Sequence, residues 1–415
     1  MADVASDQQA GLSARVLRLE NKIQEYAWGS ADALAQILAS PNTSGRPQAE
    51  LWMGAHAQAP SRVQLDAGEQ SLAELIQAEA QAILGTSVAN RFAGKLPFLF
   101  KVLAAAEPLS IQAHPDLATA AAGYEREALL GLAPDAPTRN YKDGNHKPEL
   151  ICALTEFWAL NGFRPVPEVL GLFDDLGCAA LSKLGNELRQ RADAEGLRQL
   201  FTAIMALDLE ARTAMVAEVR AAAARLSDTK AEMKWLVRVA DLHPSDPGVL
   251  CTLLLNLIRL EPGQAMYLPA GQLHAYLEGV GVELMASSDN VLRGGLTPKN
   301  VDLEELLRVV RFGQDPIEIL EPVPRSLAER VYETPASEFE LSVIDLSNEV
   351  TFESGARAGV EILLCLKGAA SIRLARDGSH SELAQGQSVL IPDAAGAFQA
   401  VGEARIYRAA VPLIR

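Results

Sequence analysis

Residues 261–274 read EPGQAMYLPAGQLH. Glu261-Pro262-Gly263 has the chemistry of a turn, QAMYL that of a short strand, and Pro269-Ala270-Gly271 that of a second turn, which delivers His274. The stretch AQGQSVLIPDAAG at 384–396 repeats the plan, with Gly-Gln, four residues and then Pro in both. Two copies of one turn–strand–turn unit predict a mainly β chain with two similar halves. The copies part after the second turn. The first reaches His274, whereas the second continues AFQA and carries no histidine.

The bulk numbers bound what such a chain can be. Its 415 residues exceed one ordinary core, so more than one domain is expected. A formal charge of -16 argues against a binder of phosphate backbones, since no basic surface exists on the global scale; a small basic pocket for a phosphorylated metabolite stays open. The N-terminus MADVASDQQAGLSAR has no apolar core of a signal peptide. GVLCTLLLNLI is too short to span a bilayer, so no membrane partner is expected. Cys152, Cys178, Cys251 and Cys365 lie far apart in sequence with no metal-clip or redox spacing. Cys152 and Cys365 sit in apolar runs as buried thiols, which fits a reducing, cytoplasmic setting.

Texture divides the chain. Short apolar stretches with turn residues fill the first sixty positions as strands, and a helix is expected at SLAELIQAEAQAIL with Ser71 as its cap. LPFLFKVLAA, LSIQAHPD and ALTEFWALNGF read as strands. Between Pro165 and Asp246 the apolar spacing becomes helical, rich in Ala, Leu, Glu and Arg. Strand texture returns at LCTLLLNLIRL, a helix follows at DLEELLRVVRFG, and the last ninety or so residues are β-rich. A discontinuous domain of 1–164 and 247–320, a helical insertion of 165–246 and a C-terminal β domain of 321–415 are therefore expected.

Gly263, Pro269, Gly271 and His274 form G-x5-P-x-G-x2-H, which resembles the second motif of the cupin barrels. That resemblance implies two cupin-type β-barrels (jelly rolls), the first able to bind metal at His274 and the second degenerate. Other residues could complete a site. Gln112 and His114, in IQAHPD, are two apart and point to one face of a strand. The pair alone does not separate a satisfied strand end from half a metal site. Glu149, in NHKPEL, opens an apolar strand, where a carboxylate facing inward needs a cation or hydrogen bonds. Gln112, His114, Glu149 and His274 together offer two nitrogens and two oxygens, a set that suits zinc, with manganese or iron as substitutes.

YAWGS (26–30), ELWMGAHAQAPS (50–61), LPFLFKVLAAAEPLSIQAHPD (96–116), DGNHKPELICALTEFWALNGFRP (143–165), LEPGQAMYLPAGQLHAYLEG (260–279) and VELMASSDNVLRGGLTPKNVD (282–302) closely resemble, in order, the type I mannose-6-phosphate isomerases, or phosphomannose isomerases. The resemblance implies interconversion of mannose 6-phosphate and fructose 6-phosphate through a cis-enediol(ate). It implies one zinc ion per chain on Gln112, His114, Glu149 and His274, an active-site arginine at Arg293, a sugar phosphate as the only partner, and a monomer. Lys147, Glu283, Asp289, Tyr276 and Lys299 fall at or around the implied cleft. A minimal cupin clusters its first ligands, but here Glu149 follows His114 by 35 residues, so the ligand set rests on the resemblance more than on spacing.

The chemistry assigns roles. Moving a proton between neighbouring carbons needs a base within reach of both. Glu283 and Asp289 are the favoured bases, because carboxylates are ionised at neutral pH; Lys147 and His146 flank Glu149 as alternatives. Positive charge must meet the developing oxyanion, a task for zinc and Arg293. Lys299, Arg293 and Lys101 are candidate cations for the phosphate, with Ser110 as a hydroxyl donor. Trp28 and Glu50 are candidates to line the cleft. Bland readings stand beside these: Lys299 as a solvated turn residue, Lys101 as a snorkelling strand residue, Trp28 as core, Asp116 as a helix cap and His56 as structural.

Overall fold

The computed structural model describes residues 14–65, 68–133, 135–355 and 357–413; most of the polar N-terminal stretch lies outside them. Its strands form two eleven-stranded antiparallel sheets. The first runs Ile319–Leu320, Ala265–Leu268, Glu149–Ala153, His274–Ala286, Phe98–Ala105, Glu50–Met53 and Lys22–Gln24. Strands Phe157–Phe163 with Leu255–Leu260, and Ile111–Ala113 with Leu292–Gly295, branch from it at His274–Ala286. Pairing follows an open, branched path in each sheet, and no closed ring of paired strands occurs among the described residues.

Strand His274–Ala286 changes partners along its length. Its first residues pair with Gln112 and Asn161, and the part from Gly279 onward pairs with Phe98–Ala105 and Glu149–Ala153. Gly279 sits at the change with φ of 130°, and a Cβ there would lie 2.6 Å from the Glu156 carbonyl oxygen, so only glycine fits. One strand thereby carries His274 and Tyr276 in one arm and Glu283 in the other.

Alternation along Glu149–Ala153 then decides what faces where. Ile151 and Ala153 join an inner apolar cluster with Leu103, Phe157, Met266 and Tyr276. Leu150 and Cys152 face the other way, into a core shared with Tyr332, Leu364 and Tyr407 of the second sheet. Glu149 has the parity of Ile151 and so points inward. All four cysteines are free and buried, Cys152 and Cys365 as expected.

The second sheet runs Val323–Pro324, Glu329–Tyr332, Glu340–Leu346, Phe398–Ala410, Glu361–Leu374, Ser388–Ile391, Leu17–Glu20, Arg62–Leu65 and Gly68–Ser71, with Phe352–Glu353 branching at Phe398–Ala410 and His380–Ala384 at Glu361–Leu374. The last three strands of the main run come from the start of the chain, so this sheet is not built from residues after 320 alone.

The repeated stretches have matching geometry. Gly263 and Gly386 both hold positive φ, 95° and 81°. In each turn the following glutamine's Oε1 accepts a backbone N–H three residues back: Gln264 from Glu261 at 2.9 Å and Gln387 from Ala384 at 3.1 Å. Leu268, before Pro269, pairs with Glu149; Ile391, before Pro392, pairs with Glu361. His274 and Phe398 each open a 13-residue strand. Glu361 is thus the counterpart of Glu149. Its carboxylate is met by Arg408 at 2.9 Å and Arg357 at 3.1 Å, and Arg408 also pairs with Glu329.

Between 165 and 246 lie five helices, Val166–Leu176, Ala179–Gln190, Ala194–Met205, Leu209–Ala223 and Ala231–Leu242, matching the helical spacing of that stretch. Val169, Phe173, Phe201 and Leu236 pack with Phe163 and Leu255 of the sheet in one core cluster, so the block is braced against the strands. Asp116 caps Leu117–Leu129 as expected, accepting from the Thr119 N–H at 2.8 Å.

Some local expectations are corrected. The helix read at SLAELIQAEAQAIL is two, Leu72–Ala78 and Ala80–Leu84, and Ser71 holds the cap position without a capping side-chain bond. The strand read from Leu250 starts only at Leu255, after the helical turn Gly248–Cys251; a short apolar run fits either state. The early strand-rich segment also holds a helix, Ala33–Ile37.

Candidate metal centre and substrate cleft

His114, Glu149 and His274 are each at least 98% buried, and one ligand atom from each lies within 4.8 Å of the others. Strand pairing brings them together. His274 is opposite Gln112, and Leu268 and Met285 flank Glu149 on either side. His114 follows Gln112 by two and so shares its face.

The proton positions are set by neighbours. His114 Nδ1 lies 2.7 Å from the Asn290 carbonyl oxygen, and His274 Nδ1 lies 3.0 Å from that of Gln272. A carbonyl only accepts, so both imidazoles carry their proton on Nδ1 and turn an Nε2 lone pair inward. Burial lowers the His114 pKa to about 4, against the opposing charge of Glu149, so the ring is neutral at pH 7. The two Nε2 atoms stand 3.3 and 3.4 Å from the Glu149 oxygens. Lone pairs thus face a carboxylate. Among the described residues His114 Nε2 and Glu149 Oε2 have no hydrogen-bond partner. Such orphaned, convergent acceptors fit a cation between them.

Gln112 completes the set, its amide nitrogen 3.3 Å from His274 Nε2. Turning the amide by half a revolution brings its oxygen to the same place, as a neutral ligand. Burial raises the Glu149 pKa, but Lys147, with its Nζ 3.0 Å from Oε1, outweighs that and holds it well below the usual range.

Beside this centre lies a second buried network. Glu283 accepts from the Tyr276 hydroxyl at 2.9 Å on one oxygen and from Lys101 at 2.9 Å on the other. Lys101 is also 3.6 Å from Glu50, whose other oxygen accepts the Trp52 indole N–H at 2.7 Å. Burial works against charge on Lys101, yet Glu283 and Glu50 together raise its pKa. Burial also raises Glu283, and nearby Glu149 and Glu50 add to it against Lys101. Burial and Glu283 push the Tyr276 phenol well up.

The cations are arranged differently. Arg293 lies opposite Gln112 in the neighbouring strand, on the same face. It is half-buried, burial lowers its pKa, and its side chain has no ion pair or hydrogen bond among the described residues. Lys299 is exposed; its pKa is lowered by burial and then by the charges of Arg293 and Lys142. Three side-chain cations thus gather near one another, and no salt bridge among the described residues involves them. A phosphate dianion suits that arrangement.

A profile for the catalytic domain of type I phosphomannose isomerase matches residues 16–166. The mannose-6-phosphate isomerase of Escherichia coli (strain K12) is 41% identical over 395 residues, which cover 94% of this chain and 98% of that one. The chain belongs to the type I phosphomannose isomerase family. The mannose-6-phosphate isomerase of Bos taurus is 35% identical over 385 residues, 85% of this chain and 88% of that one. Among solved structures, zinc-bound holo mannose 6-phosphate isomerase superposes with a TM-score of 0.87 at 38% identity, over 96% of this chain and all of the other. A point mutant of phosphomannose isomerase from Salmonella typhimurium gives the same TM-score and identity, again over 96% of this chain.

The side chains expected as ligands converge, and Tyr276 joins Glu283. Lys101 does not stand free for a phosphate; it is committed to two carboxylates. Lys142, which the sequence reading passed over, is the lysine whose charge reaches Lys299 instead. Its only signal was position, seven residues before Glu149 in the same loop. Asp289 is held by His56 at 3.2 Å and Gln58 at 3.2 Å; burial raises its pKa, but His56 outweighs that and lowers it. His56 therefore touches a cleft carboxylate, which its loop position did not reveal. His146 turns away to Glu338 at 2.8 Å, which removes it from the bases. Ser110 is partly exposed just before Ile111–Ala113, with no partner for its hydroxyl among the described residues. Trp28 is half-buried against Tyr26, ring centroids 5.7 Å apart, and packs on the inner apolar cluster, while Glu50 is buried against Lys101.

Proposed function

We propose that this chain is a zinc-dependent aldose–ketose isomerase that interconverts mannose 6-phosphate and fructose 6-phosphate. The orphaned convergence of His114 Nε2 and Glu149 Oε2, beside an Arg293 with no ion pair among the described residues, carries this reading. Relatives named mannose-6-phosphate isomerase along nearly the whole chain, and zinc-bound structural neighbours, support it. Gln112, His114, Glu149 and His274 would hold one Zn2+, which when bound polarises a substrate oxygen as a Lewis acid.

The remaining chemistry falls to the chain. Arg293, Lys299 and Lys142 hold the phosphate end, with the Ser110 hydroxyl as a further donor, and Arg293 also faces the oxyanion. Glu283 takes the proton from C2 of the aldose and returns it to C1, while a proton passes from O2 to O1, so the cis-enediol(ate) collapses to the ketose. Glu283 is preferred to Asp289 because its raised pKa lies closer to the working pH, and Lys101 and Tyr276 fix its two oxygens. Asp289 stays at the rim as the alternative, and Lys147 steadies Glu149. In architecture, each sheet is one cupin-type jelly roll, with 165–246 inserted in the first and 321–415 forming most of the second. Four buried thiols accord with the cytoplasm. We read the protein as a monomer.

The test follows exchange of the C2 proton with solvent in mannose 6-phosphate and in free mannose, before and after a chelator. Exchange confined to the phosphorylated sugar, lost with the metal and restored by zinc, is expected. The variant Glu283→Gln should retain zinc and lose exchange by roughly 100- to 10,000-fold, the range for a positioned base. Preference for free mannose overturns the substrate, and undiminished exchange in Glu283→Gln removes it as the base.

A further inference from the structure

Asn290 is fully buried and belongs to none of the sets above. Every polar group on it is used. Its Oδ1 accepts the backbone N–H of Lys142 at 2.7 Å and of Asp143 at 3.2 Å. Its Nδ2 donates to the carbonyl oxygens of Asp143 at 2.8 Å and Asn145 at 2.9 Å. Its own carbonyl oxygen takes the His114 Nδ1–H, and its N–H reaches the Ser288 hydroxyl at 3.2 Å. Ser288 in turn donates to Asp143 Oδ1 at 2.9 Å, and Asp143 Oδ2 accepts the Asp289 N–H at 2.8 Å.

This knot joins two loops, each of which reaches both the metal centre and the cation cluster. One, residues 140–147, carries Lys142 and Lys147 and leads into Glu149. The other, 287–291, holds the backbone oxygen that orients His114 and leads into Arg293. An amide fits because it accepts twice and donates twice in one plane. Aspartate has the same shape but loses both donors, and would set a second carboxylate near Asp143 Oδ1, 3.3 Å from the present Nδ2. Fully satisfied networks of this kind fix one geometry; partly satisfied ones lose it.

We propose that Asn290 is a positioning residue that sets the metal ligand His114 and the cation cluster of Lys142 and Arg293 in register with each other. This rests on the isomerase reading above. The outer partner of a metal-bound histidine typically controls 10- to 100-fold in metal affinity. Asn290 therefore governs zinc affinity and sugar phosphate affinity together, although it touches neither.

The experiment measures zinc affinity by competition with a chromogenic chelator, and kcat and KM for mannose 6-phosphate at saturating zinc. It compares the wild type with Asn290→Asp, Ser288→Ala and Ile204→Ala, the last a core change in the helical block. Asn290→Asp should weaken zinc by roughly 10- to 100-fold and raise KM several-fold even with zinc restored. Ser288→Ala, which keeps the amide, should shift both the same way by less. Ile204→Ala should lower the melting temperature and move neither. Wild-type values of either quantity in Asn290→Asp overturn the coupling. Should that variant not fold, wild-type values of either in Ser288→Ala overturn it; parallel losses in Ile204→Ala reduce the effect to general destabilisation and overturn it as well. A wild type without zinc affinity or turnover would instead sink the isomerase reading.

Discussion

Replacing His274 with alanine should strip the protein of zinc and abolish isomerisation together. The side chain is 99% buried, donates from Nδ1 to the Gln272 carbonyl and turns Nε2 towards Glu149. Alanine removes one of the two imidazole nitrogens that face Glu149 and leaves a cavity beside that buried carboxylate. Loss of a direct ligand should exceed the roughly 10- to 100-fold typical of outer-shell changes. Zinc in the purified variant, measured by mass spectrometry, should fall well below one per chain. Turnover in a coupled assay should reach background. Full activity at unchanged metal content would remove His274 from the ligand set, and full activity without metal would remove the metal from the reaction.

Arg293→Ala should separate what His274→Ala joins. Arg293 pairs in register with Gln112, and among the described residues its half-buried guanidinium bonds to no side chain and meets no carboxylate. Removing it relieves an unmet cost of burial, so the fold and the metal should survive. Turnover should fall by roughly 100- to 1,000-fold, as when a preorganised charge facing an oxyanion is lost. Zinc content and melting temperature at wild-type values, with kcat reduced, are the expected result. Unchanged kcat would exclude Arg293 from stabilising the transition state; loss of zinc would assign it to the metal centre.

Part of the site is encoded in local sequence pattern. The turn–strand–turn at 261–271 and the period-two pair Gln112 and His114 declare their geometry within a few residues. Lys101 shows where this stops. Its strand position was legible, but its partners Glu50 and Glu283 arrive from strands far away in the chain, and only the fold shows that its charge is already met. The same holds for Lys142, whose relevance comes from two loops meeting, and for Leu17–Glu20, whose alternation says strand but not which sheet. Gly248–Cys251 failed for another reason: four apolar residues fit a helical turn as well as a strand.

Glu149 and Glu361 hold equivalent places in the two halves, and each is a buried carboxylate that needs positive charge. The second half carries that charge within its own sequence, as Arg357 and Arg408. The first leaves part of it to be drawn from solution. One half of the molecule is therefore self-sufficient, and the other answers to the metal supply of its surroundings. Amide exchange should report this, with protection along Glu149–Ala153 varying with free zinc while that along Glu361–Leu374 does not; equal responses would show that the shared core ties both halves to one fate.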